Sequence, residues 1–306
     1  MIYSGLFKAK AREALRNHWQ TALLIALIVS LPSLLVQGLA AFTGNDLLSR
    51  MEQLLIDASV SAAAMDALPD TARAVLSEPG ILMMTGLSLL AWIVTPVLAL
   101  GMNHWVLDRI RGAEEPVSAV FSRVRLFLKS VGLRLFIALK VLLWMLPGIA
   151  VCLLAVIPLT RADLSSSSSM LSAAQTSIYM MYGGMAVMLV LGVMGYLYYA
   201  VADFILADEP EERVVTCTRR SKMLMKGRRG ALLSLMLSFL LWYILVIFVT
   251  AMIETMAGTV IALMLQMLGN LFISAYMLTA EGVFYEALRK VPVPQVAVDP
   301  QESAGL

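Results

Sequence analysis

Residues Arg213 to Thr250 read RVVTCTRRSKMLMKGRRGALLSLMLSFLLWYILVIFVT. Seven of the first 17 residues, Arg213 to Arg229, are Lys or Arg, whereas the 20 residues from Ala231 to Thr250 carry no charge. An α-helix crosses the ~30 Å hydrocarbon core of a bilayer in roughly 20 residues, and short basic segments stay on the cytoplasmic side. The stretch therefore reads as a basic interfacial segment feeding a membrane span. Working outward, six stretches qualify as spans: approximately 21–43, 80–101, 131–159, 178–207, 231–253 and 256–280. Residues 1–290 are expected to form a single all-α membrane domain with short basic amphipathic interfacial helices.

Composition points the same way. The 306 residues are 60% hydrophobic and only 14% charged, with a mean hydropathy of +0.82. A soluble domain carries about 25% charged residues and could not cover so much apolar surface. The net charge of +2 supplies no global basic field for nucleic acid. Cys152 lies in an apolar run and Cys217 in a basic loop, so no structural disulfide is expected. Lys8, Lys10, Arg12 and Arg16 precede an apolar run longer than a signal peptide's, which reads as a retained first span.

Charge placement sets the expected orientation. Assigned to alternate loops, 20 Lys and Arg fall on one side and three, Arg50, Arg73 and Arg161, on the other. Both termini are expected on the cytoplasmic side of the membrane. Leu47, Leu48, Met51, Leu54 and Leu55 recur at helical spacing, so the outer 44–79 loop is expected to hold an amphipathic helix. A second short helix is expected to start at Pro69 and Asp70. Ser165 to Ser169 reads as a flexible loop, and 291–306 as a disordered cytoplasmic tail.

Each odd-numbered span follows a basic amphipathic segment. Phe7, Ala11, Ala14 and Leu15 share a face in the first; Val117, Val120, Phe121, Val124, Leu128 and Val131 in the second. In the third, Val214, Cys217, Ser221 and Leu224 face away from Arg219, Lys222 and Lys226. Three related units, each an interfacial helix plus a two-span hairpin, would produce this pattern. The topological charge rule alone would also produce it.

Several landmarks are similar to a known family. Ser221-Lys222-Met223-Leu224-Met225-Lys226-Gly227-Arg228-Arg229, followed by Leu237 to Trp242, resembles the bacterial membrane-protein family called domain of unknown function 975. Ala9 to Trp19, Pro147-Gly148-Ile149, Tyr199 to Pro210, Tyr276 and Phe284-Tyr285 look like its other landmarks. The Ser-rich and acidic outer loops depart from its pattern. The resemblance implies topology, bacterial origin and hence a place in the bacterial inner membrane; it implies no activity, since the family carries no settled one. A more distant similarity is to the membrane region preceding some glycerophosphodiester phosphodiesterases, whose soluble catalytic barrel has no counterpart here.

The candidates for chemistry are few. Arg219, Arg220, Lys222, Lys226, Arg228 and Arg229 are expected to meet anionic phospholipid headgroups, or a membrane or cytoplasmic partner protein, at the inner leaflet. Topology determination alone is the plainer reading of the same cations. Asp203, Lys140, Gln266 and Asn270 are the candidates for an intramembrane polar site. Asp203, Asp208, Glu209, Glu211 and Glu212 are expected to pair with nearby cations rather than bind a metal. Arg134 is expected to snorkel to the interface, with pairing to Asp203 as the alternative, and Lys140 lies deeper. Gln266 and Asn270, at i and i+4, are expected to clamp helices inside the bundle; lining a solute path is the alternative.

His18 and His104 are the only histidines, and no HExxH, GxSxG or P-loop occurs. No cofactor or metal is expected, and no enzyme. The ranked readings are a non-catalytic membrane module, then a small-solute transporter or permease using Gln266 and Asn270, then an intramembrane enzyme centred on Asp203.

Overall fold

A computed structural model describes residues 2–60, 79–161 and 166–290. Among these residues every regular element is helical. In chain order they are α1 (Ile2–Leu15), α2 (Trp19–Val60), α3 (Pro79–Ile110), a 3₁₀ segment (Val117–Leu126), α4 (Phe127–Leu154), α5 (Ile157–Arg161) and α6 (Ser167–Tyr199). There follow α7 (Ala202–Asp208), α8 (Val214–Leu224), α9 (Arg229–Ala257) and α10 (Thr259–Arg289). Six stretches are long and apolar enough to span a membrane: Trp19–Leu39, Gly80–Ile110, Val117–Leu154, Ser168–Asp208, Arg229–Met256 and Thr259–Arg289. The chain is an all-α, multi-pass membrane protein.

It divides into two compact units. Among the described residues, the first takes in those within 1–13, 132–244 and 276–306, and the second those within 14–131 and 245–275. Core side chains of the first include Leu133, Phe204, Leu206, Met225, Phe239 and Tyr285, and those of the second Leu15, Ile25, Trp105 and Leu107. Large apolar side chains of α4 and α9, such as Leu143 and Phe248, are exposed, as suits surfaces facing hydrocarbon.

Several boundaries differ from the sequence expectation. The helix that carries the first span does not stop at 43: it is continuous to Val60 through the residues expected to form a separate interfacial helix. No glycine or proline breaks the backbone between Gly44 and Val60, and Pro32 is carried inside the helix. The serine run opens a helix rather than forming a loop. Ser166 caps α6, its hydroxyl accepting from the Ser169 amide at 3.5 Å, which is what a short polar side chain does at a helix start. The fifth and sixth spans are joined through Gly258 alone, whose φ of +88° suits a residue without a β-carbon. The second helix expected at Pro69 and Asp70 and the 291–306 tail lie outside the described residues.

The second basic segment is the clearest departure. Val117–Leu126 is 3₁₀, with about three residues per turn. Val120, Arg123 and Leu126 therefore line the inward side, while Phe121 and Val124 are exposed. The predicted α-helical face of Val117, Val120, Phe121, Val124, Leu128 and Val131 is split, and Leu128 is 82% exposed. The backbone of the segment rests directly on Gly101 of α3, where a β-carbon would collide with the Val120 carbonyl.

Candidate functional site

Helix α8 is short and strongly sided. Cys217, Thr218 and Ser221 are buried, while Arg219 and Lys222 are exposed. Ser221 fixes the helix by donating its hydroxyl to the Tyr198 carbonyl at 3.1 Å, at the end of α6. Met225, fully buried, closes α8, and the turn through Lys226, Gly227 and Arg228 delivers Arg229 as the first residue of α9. Burial raises the Cys217 thiol to about 11, with the nearby Glu212 carboxylate adding to the effect.

The cations of this corner fall into two sets. Arg220 is neutralised: it donates to both Glu209 oxygens, one at 3.1 Å, and approaches Glu212 at 3.6 Å. The Glu209 hydrogen bond raises its already high pKa further. Arg220 is thus committed within the protein. No carboxylate pairs with Arg219, Lys222, Lys226, Arg228 or Arg229 among the described residues. The guanidinium carbon of Arg229 sits 3.4 Å from the Tyr198 ring centroid, and the Lys222 ammonium sits 5.9 Å from the same centroid. Lys140, reaching from α4, places its ammonium 5.1 Å from the Tyr199 ring and 4.3 Å from Phe136. Such faces attract cations through the ring quadrupole. Arg229 makes no side-chain hydrogen bond among the described residues, and its Nε is buried.

The acidic run is mostly occupied with pairing. Asp203 meets Arg134 at 3.2 Å. Arg134 therefore pairs rather than snorkels, because α7 brings Asp203 beside the start of α4. Glu281 on α10 lies within electrostatic reach of Asp203. Asp208, 6% exposed, meets Arg289 at 3.3 Å and accepts from the Tyr285 hydroxyl at 3.2 Å. Glu211 is exposed. Among the described residues no group of three or more His, Cys, Asp or Glu could hold a metal ion.

Gln266 and Asn270 do not form the expected clamp. Asn270 is exposed and Gln266 half-buried, and neither makes a side-chain hydrogen bond among the described residues. The reason is the glycine between them. A β-carbon on Gly269 would lie 3.0 Å from Val246 of α9, so that face is the packed one, and Asn270 is turned aside from it. Elsewhere in the second unit, Arg109 contacts His18 at 3.1 Å, and Arg123 contacts His104 at 3.2 Å.

Compared with known families, the chain matches the model described as protein of unknown function (DUF975) over residues 3–291. It belongs to that family. The match takes in all six spans and the whole α8–α9 corner. No curated protein and no solved structure matches the chain. The DUF975 assignment establishes kinship and brings no activity with it.

Sequence reasoning missed what the cations rest on. Tyr198 and Tyr199, with rings 6.4 Å apart, form the platform, and Trp144 stacks on Tyr198 at 5.3 Å. The run Tyr196-Leu197-Tyr198-Tyr199 next to the acidic segment was the available signal. Lys8 was likewise counted only as a topological charge. Its ammonium lies 4.4 Å from the Phe239 ring centroid and donates to the Ser238 carbonyl at 3.3 Å. Burial there lowers its pKa.

Proposed function

We propose that this chain is a non-catalytic, multi-pass protein of the bacterial cytoplasmic membrane, with both termini cytoplasmic, that holds anionic phospholipid headgroups at its α8–α9 corner. The observation that carries the reading is the contrast in charge pairing. Arg134, Arg220 and Arg289 each find a carboxylate, whereas Arg219, Lys222, Lys226, Arg228 and Arg229 find none among the described residues. Five cations at one span entrance favour an anionic surface, each contributing about 1 kcal/mol near a charged leaflet.

The test is lipid analysis of the purified full-length chain in mild detergent. Phosphatidylglycerol should be retained in preference to phosphatidylcholine supplied at equal concentration. Lys226→Glu combined with Arg228→Glu should lower that preference. Equal retention of the two lipids, unaffected by the double variant, would refute the reading.

A further inference from the structure

Three cations from three different helices converge on one pair of tyrosine rings. Lys222 of α8 and Arg229 of α9 lie over Tyr198, and Lys140 of α4 lies over Tyr199. Lys140 and Lys222 are close enough to repel one another. None of the three has a carboxylate partner among the described residues, and the buried Arg229 Nε has no acceptor. Like charges gathered beside apolar helices are unfavourable unless an anion joins them. The aromatic faces offset part of that repulsion without cancelling charge.

We propose that Lys140, Lys222 and Arg229 form a discrete site for a doubly charged phosphate headgroup, seated against Tyr198 and Tyr199. The inference rests on the headgroup-binding reading above and narrows it from a charged surface to one site and one class of ligand. A phosphodiester with a single charge would leave two cations uncompensated; a phosphomonoester or diphosphate answers the cluster better. Arg229 supplies planar, directional donors to phosphate oxygens, and the two lysines supply mobile charge. A lipid rather than free phosphate is favoured by the surroundings of Lys140. Leu139 and Leu143 beside it on α4 are 54% and 58% exposed, a surface suited to acyl chains.

The experiment titrates the delipidated full-length chain in detergent with phosphatidic acid, phosphatidylglycerol and phosphatidylcholine, and reads bound lipid by native mass spectrometry. Phosphatidic acid should bind most tightly. Lys222→Met, an exposed position where folding is not at stake, should weaken it roughly fivefold. Arg12→Met removes one exposed cation from α1 and should leave the affinity unchanged. Equal weakening by the two variants would overturn the discrete site while leaving a diffuse headgroup surface intact. Phosphatidic acid binding no tighter than phosphatidylcholine in the unaltered chain would remove both readings. Inorganic phosphate displacing the lipid at equal concentration would overturn the lipid assignment in favour of free phosphate.

Discussion

Residues 11–26 and 221–236 build the same corner twice, with different chemistry on it. Burial follows one pattern through both: Ala11, Leu15, Ala22 and Ile25 are buried in the first, and Ser221, Met225, Leu232 and Leu235 in the second. The hydrogen bonds correspond as well. The His18 amide donates to Leu15 and the Ala22 amide to His18; the Arg228 amide donates to Met225 and the Leu232 amide to Arg228. The first residue of the following helix stacks on an aromatic ring in each case: Trp19 on Phe272 with centroids 4.6 Å apart, Arg229 on Tyr198. An uncharged ring in the first corner thus corresponds to a guanidinium in the second. The common frame is a helix, a three-residue turn and a span; only the later corner adds Lys140 and a tyrosine pair. The segment before the third span is 3₁₀ and runs into α4 without such a turn, so two of the three basic segments share a design.

If the corners are equivalent, truncating their anchors should have equal and large effects. Leu15→Ala and Met225→Ala both empty a fully buried position, and each should cost about 2–5 kcal/mol. Denaturation in mixed micelles measures this; a large loss at one anchor with none at the other would break the comparison.

The turns should respond differently. Gly227 has a φ of +76°, and no non-glycine residue among those described, Asn17 included, has a positive φ. Gly227→Ala should therefore destabilise by about 1–2 kcal/mol, the penalty of a left-handed backbone for a residue with a β-carbon. Asn17→Ala should leave the melting temperature unchanged. Equal shifts would mean that the two turns share a backbone path after all.

The smallest effect is one of pH. Cys217 corresponds in register to Phe7, and only the thiol titrates. Its folded pKa is raised to about 11, so the neutral thiol stabilises the fold below its ordinary value of about 9. That contribution should fade as pH rises toward 11. Maleimide should react slowly at neutral pH and faster as the thiolate appears, and Cys217→Ala should remove this component of the pH dependence. Rapid alkylation at pH 7 would contradict the buried, neutral thiol.

Much of the fold was legible because span length and apolar composition act over whole segments. An uncharged run such as Ala231 to Thr250 has one stable solution in a bilayer. The 3₁₀ segment was hidden because apolar residues three apart, Val117 and Val120 or Phe121 and Val124, suit a period of 3 and of 3.6 alike, and the two periods part by half a turn only over the whole of Val117 to Leu126. The inward placement of Asn270 was a general rule that one packed glycine, Gly269, overrode. The α8–α9 cations were visible as a group, but their division was not. Arg220 is neutralised by acids on the preceding loop, whereas Lys140, remote in sequence, joins Lys222 and Arg229 through tertiary packing that no local pattern encodes.

The proposed topology would gather these basic segments at one membrane face. Single-cysteine variants at Lys10, Arg125, Lys226 and Arg161, made in a chain with Cys152 and Cys217 replaced, can be probed with an impermeant maleimide in sealed vesicles of known orientation. The account predicts labelling of the first three from the cytoplasmic side and of Arg161→Cys from the opposite side. Labelling of Lys10→Cys and Lys226→Cys from opposite faces would contradict it.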